Sequence, residues 1–304
     1  MKVLITGVTG FIGGSLAKSF IDFGYQVIGI GRSLEGLDDY LIDSEEFKSV
    51  SIDLLTSDLD LLDKDIDVVI NLAGASEGKD NWEFFYNANI NIVNKLYDFS
   101  LENKVGHFIQ CSTLSVFGFK ANKKVISEEQ IPRPANYYGL SKYFSEILLK
   151  VKTNLCLGDM KVTVLRFPSV FGKNNKIGIV EKFIELAKKD LPIDLYSNGI
   201  LTRNLLYLDD AVKLINKTLV NKEKLNDYEL VHIGSSDSLA MVDIAKIIVA
   251  KTNSKSSIIP LDKKASIDWD VYLDLSKMHS ILEATTLSVN DGILHYLESL
   301  GYEV

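Results

Sequence analysis

The chain has 304 residues, 46% of them hydrophobic and 24% charged, with a formal net charge of -8. That mix buries a full core in one large α/β domain or two smaller ones, and the acidic balance without Lys/Arg blocks excludes wrapping a polyanion such as DNA. No apolar run approaches the ~18 residues of a membrane helix, the two cysteines Cys111 and Cys156 build no disulfide framework, and the glycine-broken opening MKVLITGVTGFIG makes a poor signal peptide, so a reducing cytoplasm is the expected location.

The first strand, KVLITG, runs straight into TGVTGFIGGSLAK, where Gly7, Gly10 and Gly13 stand in the spacing G-x-x-G-x-x-G before a helix. The first glycine permits a tight turn, the second lets backbone approach a pyrophosphate, and the third allows close helix packing. The anion then sits on the helix N-terminus, so a dinucleotide is expected. The second strand, QVIGIGR, ends on Arg32 and Ser33, where an NAD-selective protein carries an acidic residue for the ribose. A guanidinium grips a 2′-phosphate and stacks on adenine, which favours NADP(H) over NAD(H); the competing reading is a solvent-facing arginine. Asp53, after the third strand SVSIDL, either accepts from the adenine amino group or caps the next helix.

DVVINLAG, WEFFYNANINIVNKLYDFSLEN, HFIQCSTL and a helix carrying Tyr138 to Lys150 continue the alternation of short strands and helices. That alternation implies βαβ units, and hence a Rossmann-type, doubly wound parallel sheet. Past Leu165 the pattern loosens: KVTVLRF reads as a strand, VEKFIELAKKD as a helix, LTRNLLYLDDAVKLINKTL as a strand end entering a helix, and LAMVDIAKIIVAKT as a further helix. The expected organisation is a nucleotide-binding domain over 1–166, rejoined by about 204–232, and a smaller C-terminal α/β lobe over most of 167–304. FKANKKVISEEQIPRPA, GKNNKIG and KTNSKSS read as polar surface loops of the kind that border ligand clefts.

Within ANYYGLSK, Tyr138 and Lys142 share a helical face, while Tyr137 points roughly 100° away, toward another wall of the pocket. With 13 tyrosines in the chain, about one Y-x-x-x-K arises by chance, so the pair gains weight only from its surroundings. The four histidines, His107, His232, His279 and His295, are scattered and form no metal-ligand spacing, and no G-x-S-x-G turn is present.

Those surroundings are TGVTGFIG, NLAG, CSTLSVFG, YYGLSK, LRFPSVFG and SNGILTRNLLYLDDA, in that order over nearly the whole chain. Together they resemble the extended short-chain dehydrogenase/reductase family, the NAD(P)-dependent epimerase/dehydratase group that acts on nucleotide sugars. The resemblance implies catalytic roles for Thr113, Tyr138 and Lys142. It implies cofactor contacts from Gly7, Thr9, Gly10, Phe11, Ile12, Gly13, Arg32, Ser33, Asp53, Leu54, Leu72, Ala73, Gly74, Tyr138, Lys142, Phe167 and Pro168. Substrate contacts fall on Thr113, Leu114, Ser115, Ser169 and Arg203, with Arg203 at the diphosphate or, alternatively, in an ion pair with Asp209 or Asp210. Asn89 resembles an asparagine that buttresses the active-site strand, and a homodimer through a four-helix bundle is implied.

The chemistry accounts for these residue types. Hydride transfer at a carbinol carbon needs an acid/base on its oxygen. Lowering a tyrosine from near 10 toward neutrality takes ~3 pH units, or ~4 kcal/mol, which one ammonium about 4 Å away supplies at an effective dielectric of ~20. Lys142 is thus expected to tune Tyr138 and to hold the nicotinamide ribose, with Thr113 bonding the reacting oxygen. Leu114 and Ser115 stand where 4,6-dehydratases carry an Asp-Glu pair, which speaks against dehydration; Ser169 replaces a frequent Asn, and the Trp-x-Pro end is missing. Two activities fit: reduction of a nucleotide-bound 4-keto-6-deoxy sugar, favoured by Arg32, and 4-epimerisation. A non-catalytic NAD(P)-sensing protein is the remote alternative, disfavoured by the intact Tyr138 and Lys142.

Overall fold

The computed structural model describes residues 1–76, 81–118, 125–155, 158–265 and 268–304. Cys156 and the first part of the loop beginning at Phe119 lie outside the described residues. The chain divides into two compact units, one of Met1–Gly118, Pro132–Arg166 and Ile215–Val231, the other of Phe119–Ile131, Phe167–Leu214 and His232–Val304.

The first unit is organised on seven strands: β1 (Lys2–Thr6), β2 (Gln26–Gly31), β3 (Phe47–Ser51), β4 (Val68–Asn71), β5 (His107–Thr113), β6 (Lys161–Phe167) and β7 (Tyr228–His232). They form one parallel sheet flanked by helices, in the order β7-β6-β5-β4-β1-β2-β3. Strand order therefore reverses between β1 and β4, and in doubly wound sheets the ligand crevice lies beyond the strand ends at such a point. Central strands are buried on both faces, which is why VLI of β1, VVI of β4 and FI of β5 read as continuous apolar runs. Leu4, Val69, Phe108 and Val164 from four strands meet Leu96, Tyr97 and Leu149 from the helices in one core.

Strand β3 ends at Ser51, so Asp53 stands in the turn just after it, where the sequence places it. One feature differs from the sequence pattern. The helix expected from Trp82 onward is three pieces: α-helical Trp82–Tyr86, a π-helical turn over Asn87–Asn91, and α-helical Ile92–Glu102. The wide turn carries the buried Asn89, whose Oδ1 accepts from the Ala75 N–H at 2.8 Å and whose Nδ2 donates to the Ala75 carbonyl and to Ser141 Oγ, both at 2.9 Å. Holding a backbone segment and a second helix at once fixes Asn89 out of the regular α-helical register.

The second unit gathers Phe171, Phe183, Ile184, Leu195, Leu205, Ile244, Ile248, Ile293 and Leu297 into its own core. Its strand Ser169–Phe171 pairs in parallel with Leu205–Tyr207, and Thr202–Arg203 pairs antiparallel with Leu239–Ala240. Among the described residues no helix is long and apolar enough to cross a membrane, and no group of three or more His, Cys, Asp or Glu is placed to hold a metal ion.

Candidate active site

The glycine turn leaves β1 at the switch point. Gly7 adopts φ +71, where a side chain is strained, and a Cβ there would meet the Leu72 and Ala73 backbone at 3.1 Å. That closeness brings Leu72 and Ala73, at the end of β4, against the turn. The Gly7 N–H donates to the Ile30 carbonyl at 2.8 Å, tying the turn to β2. A Cβ on Gly13 would overlap the Gly7 carbonyl, its carbon lying 2.9 Å away, so only glycine lets the helix Phe11–Asp22 start this close. Gly10 caps that helix without a side-chain hydrogen bond, and the first turn carries no acidic residue. The amides of Phe11, Ile12 and Gly13 thus face outward without a competing anion, and the cradle fits a dinucleotide pyrophosphate.

Thr9 lies beside β2, its side chain 3.4 Å from where a Gly31 Cβ would stand. Arg32 is exposed at the end of β2 and makes no ion pair among the described residues; its carbonyl accepts from Ser51 Oγ at 3.2 Å. Ser33 Oγ accepts from the Glu35 N–H at 3.1 Å. Asp53 Oδ1 accepts from the Leu55 N–H at 2.9 Å within the turn after β3, and the next helix, Leu59–Leu61, is capped by Asp58 instead; Leu54 is buried in the core. Gly74, at φ +159, has Asn89 Oδ1 2.6 Å from the place of a Cβ.

Thr113, Tyr138 and Lys142 come together at the C-terminal end of β5. Asn136 starts the helix Tyr137–Leu155, its Oδ1 accepting from the Gly139 N–H at 2.8 Å. A Cβ on Gly139 would overlap the Ser115 carbonyl, so glycine at that place lets the turn after β5 touch the helix start. The contact sets the Thr113 and Tyr138 hydroxyls in hydrogen-bond reach of one another. Thr113 also accepts from the Ser115 N–H at 3.1 Å and donates to Ser115 Oγ at 3.2 Å, so it satisfies backbone and faces the tyrosine at the same time. Leu114 and Ser115 begin the short 3-10 turn Leu114–Phe117 and are part-buried beside it.

Electrostatics here differ from the sequence expectation. Burial raises the Tyr138 pKa above its ordinary value, and the Thr113 hydrogen bond opposes that rise. The expected lowering by Lys142 is not what this geometry gives, because the ammonium donates to the Cys111 carbonyl at 2.6 Å. Burial also lowers the Lys142 pKa, with Glu146 pulling the other way. The Cys111 thiol is pushed up to about 12 by burial, which leaves it unreactive while its carbonyl does the holding. Tyr137 lies on another face, exposed and 5.8 Å from the Trp82 ring.

The sequence reading missed a buried ion pair beneath this site. Glu146, one further turn along the face of Tyr138 and Lys142, accepts from Arg166 Nη2 at 2.6 Å and Nε at 3.1 and 3.2 Å, and from Ser112 Oγ. Both side chains are almost completely buried, and the guanidinium stacks 5.2 Å over the Phe117 ring. The i, i+4, i+8 arithmetic that joined Tyr138 to Lys142 reaches Glu146 as well.

Phe167, Pro168, Ser169 and Arg203 belong to the second unit. Phe167 and Pro168 are buried, and Ser169 is exposed opposite Leu205 in register. Arg203 Nη1 donates to the Thr202 and Trp269 carbonyls at 2.7 and 2.9 Å. Burial lowers its pKa, and the carboxylates acting on it are Asp270 and Asp268; Asp210 is engaged by Lys213 and the Leu287 N–H.

A 28% identical relative, matched over 321 residues and 99% of both chains, is the uncharacterized UDP-glucose epimerase YtcB of Bacillus subtilis (strain 168). A probable UDP-glucuronate 4-epimerase of Rhizobium meliloti (strain 1021) is 28% identical over 71% of this chain and 67% of its own. Among solved structures, a UDP-glucuronic acid 4-epimerase from Bacillus cereus, in complex with UDP-glucuronic acid and NAD, superposes with a TM-score of 0.85 at 26% identity, covering 99% of this chain and 100% of that one. The model of the NAD dependent epimerase/dehydratase family matches residues 3–234, and with the glycine cradle at the switch point of the sheet this establishes that the chain belongs to that family, as an enzyme with a nicotinamide cofactor of the extended short-chain dehydrogenase/reductase type.

Proposed function

We propose that the protein is a 4-epimerase of a UDP-hexose, of the glucose or glucuronic acid type, working with retained NAD. The observation that carries this reading is the meeting of Thr113, Tyr138 and Lys142 at the end of β5, in the same sheet whose switch point bears the glycine cradle. Support for the sugar comes from relatives and solved neighbours named as UDP-glucose or UDP-glucuronate epimerases. Neighbours crystallised with NAD move the cofactor reading from NADP(H) to NAD(H), with Arg32 stacking on adenine instead of gripping a 2′-phosphate.

NAD, when bound, supplies the acceptor and donor of hydride. Tyr138 takes the proton of the sugar 4-hydroxyl as C4 is oxidised and returns it when C4 is reduced on the opposite face, so no net redox change results. Thr113 hydrogen-bonds the same oxygen and shortens the proton path. The Lys142 ammonium, leaving or sharing the Cys111 carbonyl, stabilises the phenolate and holds the ribose hydroxyls. Arg203, a residue of the second unit, is the candidate for binding the diphosphate, its planar guanidinium being suited to two phosphate oxygens.

Incubation with UDP-glucose, UDP-glucuronic acid and UDP-N-acetylglucosamine, read by proton NMR at C4, tests this. Interconversion without consumption of NAD(P)H is expected. The second reading, reduction of a nucleotide-bound 4-keto sugar, rests on the exposed Arg32, and stoichiometric NADPH consumption with a keto sugar would establish it in place of epimerisation. We also propose a homodimer, because Phe144, Ile147, Val151 and Leu155 recur at helical spacing and are all exposed, with Phe84 similarly exposed on Trp82–Tyr86.

A further inference from the structure

Strand β5 reads HFIQCST, and its middle holds a glutamine where a central parallel strand calls for an apolar side chain. Gln110 is fully buried, as are Thr6 and Asn71. The three are register partners on adjacent strands, Thr6 opposite Asn71 on β1 and β4, and Asn71 opposite Gln110 on β4 and β5. They form one head-to-tail chain of hydrogen bonds. The Ala73 N–H donates to Thr6 Oγ1 at 3.1 Å, Thr6 Oγ1 to Asn71 Oδ1 at 2.6 Å, and Asn71 Nδ2 to Gln110 Oε1 at 2.8 Å. Gln110 Nε2 then donates to the Cys111 carbonyl at 2.9 Å, the same oxygen that takes the Lys142 ammonium at 2.6 Å.

We propose that Gln110 is a positioning residue for Lys142, anchoring the Cys111 carbonyl and tying that anchor through Asn71 and Thr6 to the turn at the end of β4. The inference rests on the acid/base reading of Tyr138 and Lys142. A carbonyl oxygen has two lone pairs, and the glutamine amide occupies one of them. The ammonium is left with the other and keeps two N–H groups for the phenolate and a ribose hydroxyl. A carbonyl polarised by one donor is also a weaker acceptor for the next, so Gln110 keeps Lys142 placed without locking it. Each member of the row both accepts and donates, which fixes the orientation of both amides. Burying two amides in mid-sheet costs free energy that an apolar pair at the same register would not, which argues for a task beyond packing.

The test compares Gln110→Met and Gln110→Glu with wild type, all as full chains with NAD, on whichever UDP-hexose is turned over. Methionine keeps the volume and removes both hydrogen bonds. Its kcat should fall about 10-fold or more, with KM within about 2-fold, because a misplaced ammonium affects the chemical step more than binding. The pH at which kcat rises, and the pH at which the Tyr138 phenolate absorbs (wild-type minus Tyr138→Phe difference spectrum), should both move up by about one unit. Glutamate accepts from Asn71 in either form but donates to Cys111 only when protonated. It should therefore match wild type at low pH and the methionine variant at high pH. A loss of kcat with neither pH limb moved, or wild-type behaviour in both variants, would overturn the proposal. Lys142→Met and Tyr138→Phe separate the two levels: if either keeps full activity, the acid/base reading itself fails, whereas their inactivity beside an unmoved Gln110→Met profile refutes Gln110 alone.

Discussion

Replacing Gly139 by alanine offers a sharp test of how the fold builds the site, because two effects of opposite sign compete. Inside a helix, Gly→Ala ordinarily stabilises by about 1 kcal/mol. Here the added methyl would overlap the Ser115 carbonyl oxygen, stand 3.0 Å from its carbon and 3.3 Å from Pro134 Cβ. The nearest of these atoms are backbone, so no rotamer change relieves them, and either the helix start or the turn Leu114–Phe117 must shift. Overpacking of that kind costs about 1–3 kcal/mol, which exceeds the propensity gain and leaves a net loss of about 1 kcal/mol. The larger effect falls on catalysis, since the displaced contact is the one that brings Tyr138 to Thr113. A shift of a few tenths of an ångström to 1 Å there should lower kcat by about 10- to 100-fold. Urea denaturation and steady-state epimerisation of the same preparation measure both quantities. A Gly139→Ala protein with a raised urea midpoint and wild-type kcat would refute the reasoning, since the methyl would then have found room without moving either element.

Tyr138→Phe should lower kcat by about 10²- to 10⁴-fold while NAD affinity, measured by fluorescence titration, stays within a few-fold; Thr113→Val should cost less. Breaking the buried pair by Glu146→Gln or Arg166→Met strands a charge or its partners and should cost about 3–5 kcal/mol in urea denaturation, whereas Glu146→Leu with Arg166→Met should recover most of it. Equal losses in the single and double variants would show that packing, not charge, dominates. His107, buried against Thr163 and near Lys222 and Lys161, is held down to about 3 mainly by burial, so the native state stays neutral where the unfolded chain takes a proton. Its contribution is full above about pH 6.5 and is lost as pH falls toward 3, about 2 kcal/mol by pH 5. A His107→Gln protein should lose correspondingly less stability between pH 7 and pH 5, and an unchanged slope would contradict this. Phe144→Glu should convert a dimer to monomer in sedimentation velocity, with retained dimer arguing for another interface.

What the sequence disclosed was whatever is encoded over a few residues. Gly7, Gly10 and Gly13 announce a turn that only glycine tolerates, and the structure gives the reason in the overlap at Gly13. Tyr138 and Lys142 follow from helical spacing, but spacing fixes where a side chain begins and not where it ends. A lysine has four methylenes of reach, and Lys142 spends them on a strand carbonyl, which is why the expected tuning of Tyr138 is absent from this geometry. Asn89, expected to buttress the active-site strand, instead bonds the backbone at Ala75 and the helix at Ser141, and the π-helical turn accompanies these two contacts, neither of them near in sequence. The row of Thr6, Asn71 and Gln110 is the instructive case. Its members are 65 and 39 residues apart and meet only through sheet register. Even so, each interrupts or ends an apolar run of a central strand: Thr6 and Asn71 close KVLIT and VVIN, and Gln110 breaks HFIQCST in its middle. In a parallel sheet, polar residues at that level on strands adjacent to the switch point cannot all be surface, so they must satisfy one another. Register then turns three isolated oddities into one network, and the amide at its end donates to the carbonyl that holds the lysine.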